Sequence, residues 1–397
     1  MIPSRRSFFK TAIGAAMLSR GPRVSAASVS KDSSFDPWVE IETANFKHNV
    51  AEVSRRVSGR PILAVIKNNG YGTGVVNVAR VLEPERAIAG FAVVKLHEAH
   101  ALRDAGVQKP ILLMGPCNEM ELQDAVVRKI RPMVYTPLGQ ALDRISRKIQ
   151  SAVPIHICVD TGIGRVGVPY RQAPSLIKDL ASRKSVRVEG TMMTFTEDPE
   201  FDAEQLRRFQ ALCATLDGER LQFGTRHAAS SFALFQHADA FLDMVRPGMA
   251  LFGIYSEKEF RSLGLMDLRP ALRLKARVIY VKQLAKGESA GYNRAYRAEN
   301  DVWLATVPVG HADGLPRAAA KGGHVRIGGA LYPIIASISA SHCIVEIGAE
   351  PRASIGDVAT FFDAEEGSRP EDFAASCESS VYDLTMHLSA LLPRRVL

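Results

Sequence analysis

From Trp38 to about Gly264, short apolar runs alternate with segments of helical periodicity. The runs fall at 61–66, 89–94, 110–115, 131–135, 154–160, 186–195, 222–229 and 241–246. Between them, 76–82, 96–105, 119–127, 172–182 and 203–216 read as helices. A short apolar run bounded by polar residues reads as a strand buried on both faces. Eight such runs with intervening helices over roughly 230 residues predict a (β/α)8 barrel. A doubly wound open sheet is the alternative, since periodicity alone does not close a sheet.

The rhythm changes after about Leu265. The runs 271–284, 301–309, 324–327, 330–338, 344–347 and 358–362 are β-rich and punctuated by glycines. They predict a second, mostly-β domain, closed by a last helical pattern at 381–391. The domains expected are a leader at 1–27, a barrel at 38–265 and a C-terminal β-rich domain at 266–397. No internal repeat exceeds the βα rhythm, and no tract is of low complexity.

Charge modifies this picture only at the N-terminus. The chain of 397 residues carries a formal charge of +8, but residues 1–27 hold Arg5, Arg6, Lys10, Arg20 and Arg23 and no acid. The basic balance therefore belongs largely to the leader, and no nucleic-acid partner is expected. Ser4-Arg5-Arg6-Ser7-Phe8-Phe9-Lys10, a weakly apolar segment to Leu18 and Val24-Ser25-Ala26-Ala27 together resemble a twin-arginine export signal. That predicts passage of the folded protein through the twin-arginine machinery to a periplasmic or other extracytoplasmic location; a disordered basic tail is the alternative. The five cysteines include no Cys-x-x-Cys pair, and neither a disulfide framework nor a metal site is expected.

The candidate chemistry sits at strand ends. Lys67 follows the apolar run Pro61-Ile62-Leu63-Ala64-Val65-Ile66, and Asn68-Asn69-Gly70-Tyr71-Gly72 follow it. Burial disfavours a charged lysine, which makes the amine a nucleophile or a Schiff-base anchor. A lysine merely reaching into water is the plain alternative. Asp160-Thr161-Gly162-Ile163-Gly164-Arg165, Thr194, Ser230-Ser231 and Val245-Arg246-Pro247-Gly248-Met249 end four further runs. In a barrel, C-terminal strand ends form the active-site face.

These motifs, with His227-Ala228-Ala229-Ser230-Ser231, Gly291-Tyr292-Asn293 and Pro308-Val309-Gly310-His311-Ala312-Asp313-Gly314, resemble the alanine racemase family of fold-type III pyridoxal-phosphate enzymes. The resemblance runs from Trp38 almost to the C-terminus. It implies a pyridoxal 5'-phosphate cofactor held as a Schiff base on Lys67. Tyr71, Ser231 and the amides of Gly248 and Met249 would bind the phosphate, and Arg246 would face the pyridine nitrogen. An arginine stays protonated, so that nitrogen stays unprotonated and the ring is a weaker electron sink, which favours racemisation over transamination. Lys67 would serve one face of Cα, and Tyr292 of a partner subunit the other, which implies a homodimer. Arg165 and the amide of Ala340 would contact the substrate carboxylate. The implied reaction interconverts L- and D-alanine and feeds D-alanine biosynthesis.

The pattern is broken around these residues. Relative to the family, Thr194 replaces a histidine, Cys158 a lysine often carbamylated to orient Arg165, and His311 a tyrosine near the entrance. Ala340-Ser341 replaces a Met-Asp pair, and Ala390 falls where some members have a second phosphate-binding tyrosine. Two other functions stay open: a broad-specificity racemase for larger amino acids, and a pyridoxal-phosphate-binding protein without catalysis.

Overall fold

The computed structural model describes residues 34–397. The leader at 1–27, with its twin-arginine pattern, lies outside the described residues. The strands of the first part are β1 (Trp38–Ile41), β2 (Ile62–Val65), β3 (Ile88–Val93), β4 (Ile111–Leu113), β5 (Ile130–Val134), β6 (Val153–Asp160), the short β7 (Val168–Pro169), β8 (Val186–Met192) and β9 (Thr225–His227).

All but β1 belong to one parallel sheet, ordered β2-β3-β4-β5-β6-β8-β9 with β7 flanking β6. The residues of β2 and β4 are buried throughout, as strands covered on both faces must be. The sheet closes through residue 245. Leu63 N donates to Val245 O at 2.9 Å, Val245 N donates to Pro61 O at 3.1 Å, and Arg246 N donates to Ala229 O at 2.8 Å. The eighth strand expected at 241–246 is thus reduced to a bridge between Val245 and Ile62. Leu242, at φ +45°, leaves extended geometry just before it, and Pro247 has no N–H with which to continue the ladder. The closed-barrel expectation holds, and the open sheet does not.

The second part contains β10 (Leu272–Arg277), β11 (Tyr280–Leu284), β12 (Ser289–Ala290), β13 (Tyr296–Arg297), β14 (Val302–Val307), β15 (His324–Ile327), β16 (Ala330–Ile335), β17 (Cys343–Gly348), β18 (Val358–Phe362) and β19 (Arg394–Val396). Burial alternates along β10 and β17, so Leu272, Leu274, Cys343 and Val345 face a core while their neighbours are partly exposed. The sheet order is β11-β14-β17-β16-β15-β18-β10-β1-β19. This corrects the boundary drawn at residue 38. The strand Trp38–Ile41 pairs with β10 and β19, not with the barrel. Its partners lie more than 200 residues away, beyond the reach of any local pattern.

The end of the chain returns to the barrel mouth. A helix at Val381–Met386, shorter than the 381–391 expected, packs against the turn after β2. Arg394 then donates from Nη2 to Gly72 O at 2.8 Å and from Nε at 3.1 Å. A Cβ on Gly72 would overlap the Thr385 carbonyl, so a glycine there permits the approach. The C-terminal segment thereby braces the turn that presents Lys67.

Candidate active site

The backbone after Lys67 is unusual. Asn68, Asn69, Gly70 and Tyr71 have φ of +54°, +55°, +59° and +47°, one turn of left-handed helix. Such a conformation costs about 1–2 kcal/mol for each residue with a Cβ, least for asparagine. Local contacts offset the cost. The buried Glu98 carboxylate accepts from Asn69 N at 2.7 Å, and Arg394 holds Gly72 O. Tyr71 packs edge-on against Phe252, with ring centroids 5.1 Å apart. The tight left-handed turn places Lys67 and Tyr71 on the same cavity.

That cavity, of about 590 Å³, lies at the C-terminal ends of the barrel strands. Lys67, Tyr71, Arg165, Ser231, Arg246, Gly248 and Met249, each named from sequence, all line it. Burial pulls the Lys67 ammonium below the usual lysine range. Arg165 adds to this, and Glu98 and Glu197 oppose it. Its amine is therefore more available as a nucleophile and base than an exposed lysine's.

Hydroxyl groups gather near Gly248. Ser231 Oγ accepts from Gly248 N at 2.9 Å and from Ala250 N at 3.1 Å, which leaves its own O–H free to donate. The Gly248 amide is thus taken by Ser231, whereas the Met249 N–H meets no acceptor among the described residues. Ser230 Oγ is buried without a partner. Tyr71 and Tyr382 also line this region, and burial raises both phenols, so they act as donors. Tyr382 was not anticipated. The reading that placed a lost tyrosine at Ala390 is wrong, because Ala390 is exposed and Tyr382, on the Val381–Met386 helix, borders the cavity. Free hydroxyl donors around an unpartnered amide fit a phosphate.

Arg246 is buried, and its donors can be accounted for one by one. Nη1 donates to His227 O and lies 3.2 Å from His227 Nδ1. Nη2 donates to Met193 O at 2.7 Å and to Ala228 O at 3.3 Å. A guanidinium has five N–H groups. Four are occupied, and only Nε–H is left for a group in the cavity. Burial lowers this guanidinium to about 10, so it remains charged near neutral pH. A lysine amine, a hydroxyl-lined region and a single fixed guanidinium donor form a donor set suited to the amine-reactive carbon, phosphate and ring nitrogen of pyridoxal phosphate.

Gly248 offers a test of this fit. A Cβ there would overlap the Tyr71 hydroxyl. Forcing extra volume into a packed site costs about 1–3 kcal/mol. Gly248→Ala should therefore weaken pyridoxal-phosphate binding roughly tenfold or more in a fluorescence titration of the apoprotein. An unchanged dissociation constant would show that Tyr71 does not contribute.

The remaining expectations divide. Asp160 Oδ1 accepts from Gly162 N at 2.8 Å and from Gly164 N at 3.2 Å, shaping the loop that carries Arg165. Cys158 lines the cavity with Arg246 and Arg165, whose charges oppose the rise, but burial pushes its thiol up to about 11, so it is neutral. Thr194 lines the cavity, and so does Glu197, a carboxylate that sequence reasoning passed over. Tyr292 and Ala340 do not line it. Tyr292 is 69% exposed, and Ala340, also exposed, abuts Gly310. His311 is exposed and meets Arg317. Among the described residues no group of three His, Cys, Asp or Glu side chains could hold a metal ion, and the five cysteines are free.

Comparison with known proteins agrees with this geometry. The family model described as "Alanine racemase, N-terminal domain" matches residues 41–256, and "Alanine racemase, C-terminal domain" matches 271–396. An alanine racemase of Desulforamulus reducens is 31% identical over 364 residues, covering 90% of this chain and 98% of the relative. One from Methanococcus maripaludis is 30% identical over 366 residues, covering 90% and 97%. Among solved structures, the alanine racemase of Clostridium difficile 630 superposes with a TM-score of 0.84 at 26% identity, covering 92% of this chain and 96% of that one. The alanine racemase from Bacillus anthracis with bound L-Ala-P superposes with a TM-score of 0.81 at 27% identity, covering 92% and 95%. Both halves of the chain, in order and over nearly their whole length, carry the same likeness, and the chain belongs to the alanine racemase family.

Proposed function

We propose that this protein is a pyridoxal-phosphate-dependent racemase that interconverts L- and D-alanine. The observation that carries the reading is the cavity in which the depressed Lys67 amine shares a wall with the hydroxyls of Tyr71, Ser231 and Tyr382 and with the one uncommitted donor of Arg246. The bound cofactor supplies a carbonyl that joins to the substrate amine and a ring that takes up electron density from Cα.

Each residue then has a defined task. Lys67 would hold the cofactor, and its amine would take or return the Cα proton on one face. Tyr71, Ser231, Tyr382 and the Met249 amide would donate to the phosphate. Arg246 would offer its Nε–H to the ring nitrogen without protonating it, which would favour return of the proton to Cα. Arg165 receives the substrate carboxylate, for which a guanidinium is geometrically suited.

The second face needs a second proton donor. Tyr292 is that group in this reading, delivered with Ala340 by a partner copy of the chain. Its exposure and its absence from the lining of its own chain's cavity support a role across a dimer interface. The leader supports export of the folded, cofactor-loaded protein through the twin-arginine route to an extracytoplasmic site.

Chiral chromatography tests the substrate. The purified protein should convert L-alanine to an equal mixture of enantiomers, with a kcat/KM for alanine above that for lysine, arginine or serine. Faster turnover of a larger amino acid would replace alanine as the substrate; no turnover of any would leave only a cofactor-binding protein.

A further inference from the structure

The barrel interior beneath Arg246 holds a polar pair that the reaction above does not use. His156, on β6, and His227, on β9, are both buried. His156 Nδ1 lies 2.9 Å from His227 Nε2, with the rings edge to face at a centroid distance of 5.0 Å. The layers inside a (β/α)8 barrel are ordinarily filled by branched apolar side chains, so a buried imidazole pair requires its own account.

The hydrogen bonds allow only one arrangement of protons. A guanidinium donates and never accepts. His227 Nδ1, 3.2 Å from Arg246 Nη1, must therefore accept. A neutral imidazole that accepts at Nδ1 carries its proton at Nε2. His227 Nε2–H then donates to His156 Nδ1, and His156 in turn carries its proton at Nε2. Charging either ring would oppose N–H to N–H. Burial keeps both neutral, reinforced by the positive Arg246 at both rings and by Arg131 at His156. His156 is lowered to about 3, and His227 is lowered well below its ordinary value.

A second feature of the fold is arranged around this bond. Gly190 lies on β8, the strand between β6 and β9. A Cβ there would overlap His156 Nδ1 and come within 2.8 Å of His227 Nε2. The Gly190 backbone is not in the left-handed region, so glycine serves here to leave room and not to permit a conformation. His156 also borders a separate cavity of about 120 Å³, shared with Arg131 and Glu189, whose Nε and Oε2 are 2.5 Å apart.

We infer that His156 is a positioning residue for the racemase reaction: it fixes the tautomer of His227, and through it the orientation of Arg246 that leaves Nε–H as the sole donor toward the cofactor. The inference rests on the proposed role of Arg246 at the ring nitrogen. If His227 lost its acceptor, its proton could move to Nδ1 and confront Arg246 Nη1. Arg246 would then turn, and the ring nitrogen would lose its fixed partner and become open to protonation. A protonated ring draws more charge from Cα. It would promote the side reaction in which the alanine amino group passes to pyridoxal phosphate, giving pyruvate and pyridoxamine phosphate.

The experiment combines histidine ¹⁵N NMR of the holoenzyme with a count of pyruvate formed per racemisation event. In the wild type, His156 and His227 should both report the neutral Nε2–H tautomer. His156→Leu and Gly190→Ala should each mix the His227 tautomers, raise the pyruvate count at least about tenfold and lower kcat more than they raise KM. His156→Gln, whose amide oxygen can accept from His227 Nε2–H, should restore the wild-type count; a residue that only filled space would not show this rescue. Thermal melts and cofactor content establish that each variant is folded and loaded. A wild-type signal with the His227 proton on Nδ1, or a charged ring, would overturn the inference whatever the variants do. So would a loaded His156→Leu protein with an unchanged tautomer and pyruvate count. A wild type that shows the expected tautomers but leaves alanine unchanged would refute the proposed function and not the tautomer assignment.

Discussion

Replacing Lys67 with alanine should give a folded protein that no longer racemises alanine and no longer holds pyridoxal phosphate covalently. Loss of a positioned general base alone lowers a rate by about 10²–10⁴-fold. Here the same substitution also removes the amine that captures the cofactor, so the loss should lie at or beyond the upper end. The fold should not suffer. The strand that presents Lys67 is held by Ile62, Leu63, Ala64 and Val65, all buried, and the turn after it is held by Glu98 and Arg394. Removing an amine that burial already disfavours as a cation relieves a desolvation cost, and the melting temperature should hold or rise. Borohydride reduction followed by peptide mapping reads the attachment directly. Wild type should carry the reduced cofactor on Lys67, and the variant should carry none. Activity of Lys67→Ala within about tenfold of wild type would show that the cavity works by another base.

Tyr292→Phe should have the second-largest effect. It removes one oxygen from an exposed side chain, so stability should change little. If that oxygen is the acid–base group for the second face of Cα, turnover falls by about 10²–10⁴-fold. The loss should be unequal in isotope behaviour, since Lys67 still exchanges the proton on its own face. L- and D-alanine in deuterated solvent should therefore differ in deuterium uptake, one enantiomer exchanging without inversion. The proposed arrangement also predicts complementation. Mixing unfolded and refolded Lys67→Ala and Tyr292→Phe chains produces hybrid dimers in which one of two sites has both intact groups. About a quarter of wild-type activity should return in a random mixture, as two-fold symmetry requires. No recovery, with hybrid dimers shown by native mass spectrometry, would place Tyr292 outside the partner's site.

Much of this site was legible along the chain because a barrel turns strand order into geometry. Lys67, Arg165, Ser231 and Arg246 lie near the C-terminal ends of different strands, and closure brings them to one cavity. What stayed hidden depends on contacts without local periodicity. The apolar pattern at 38–41 marks a strand but not its partners, so β1 was assigned to the barrel instead of the sheet with β10 and β19. The run at 241–246 looks like its seven predecessors, but Leu242 and Pro247 limit it to one bridge. Tyr382 is more than 300 residues from Lys67 and reaches the cavity only because Gly72 lets the C-terminal segment approach. The His156–His227 bond was also invisible. Both residues occur in apolar runs, and the remaining clue, a glycine at 190 inside a strand, has meaning only once the neighbours of β8 are known.

The central claim is that this one cavity takes the Cα proton from alanine and returns it on either face. The most direct measurement is incubation of the purified holoenzyme with L-alanine in deuterium oxide, followed by chiral separation and mass analysis of both enantiomers. The account predicts approach to equal amounts of L- and D-alanine, with one deuterium at Cα in all of the D-alanine and, with time, in the L-alanine. A yellow, cofactor-loaded protein that leaves L-alanine optically unchanged and free of deuterium would contradict it.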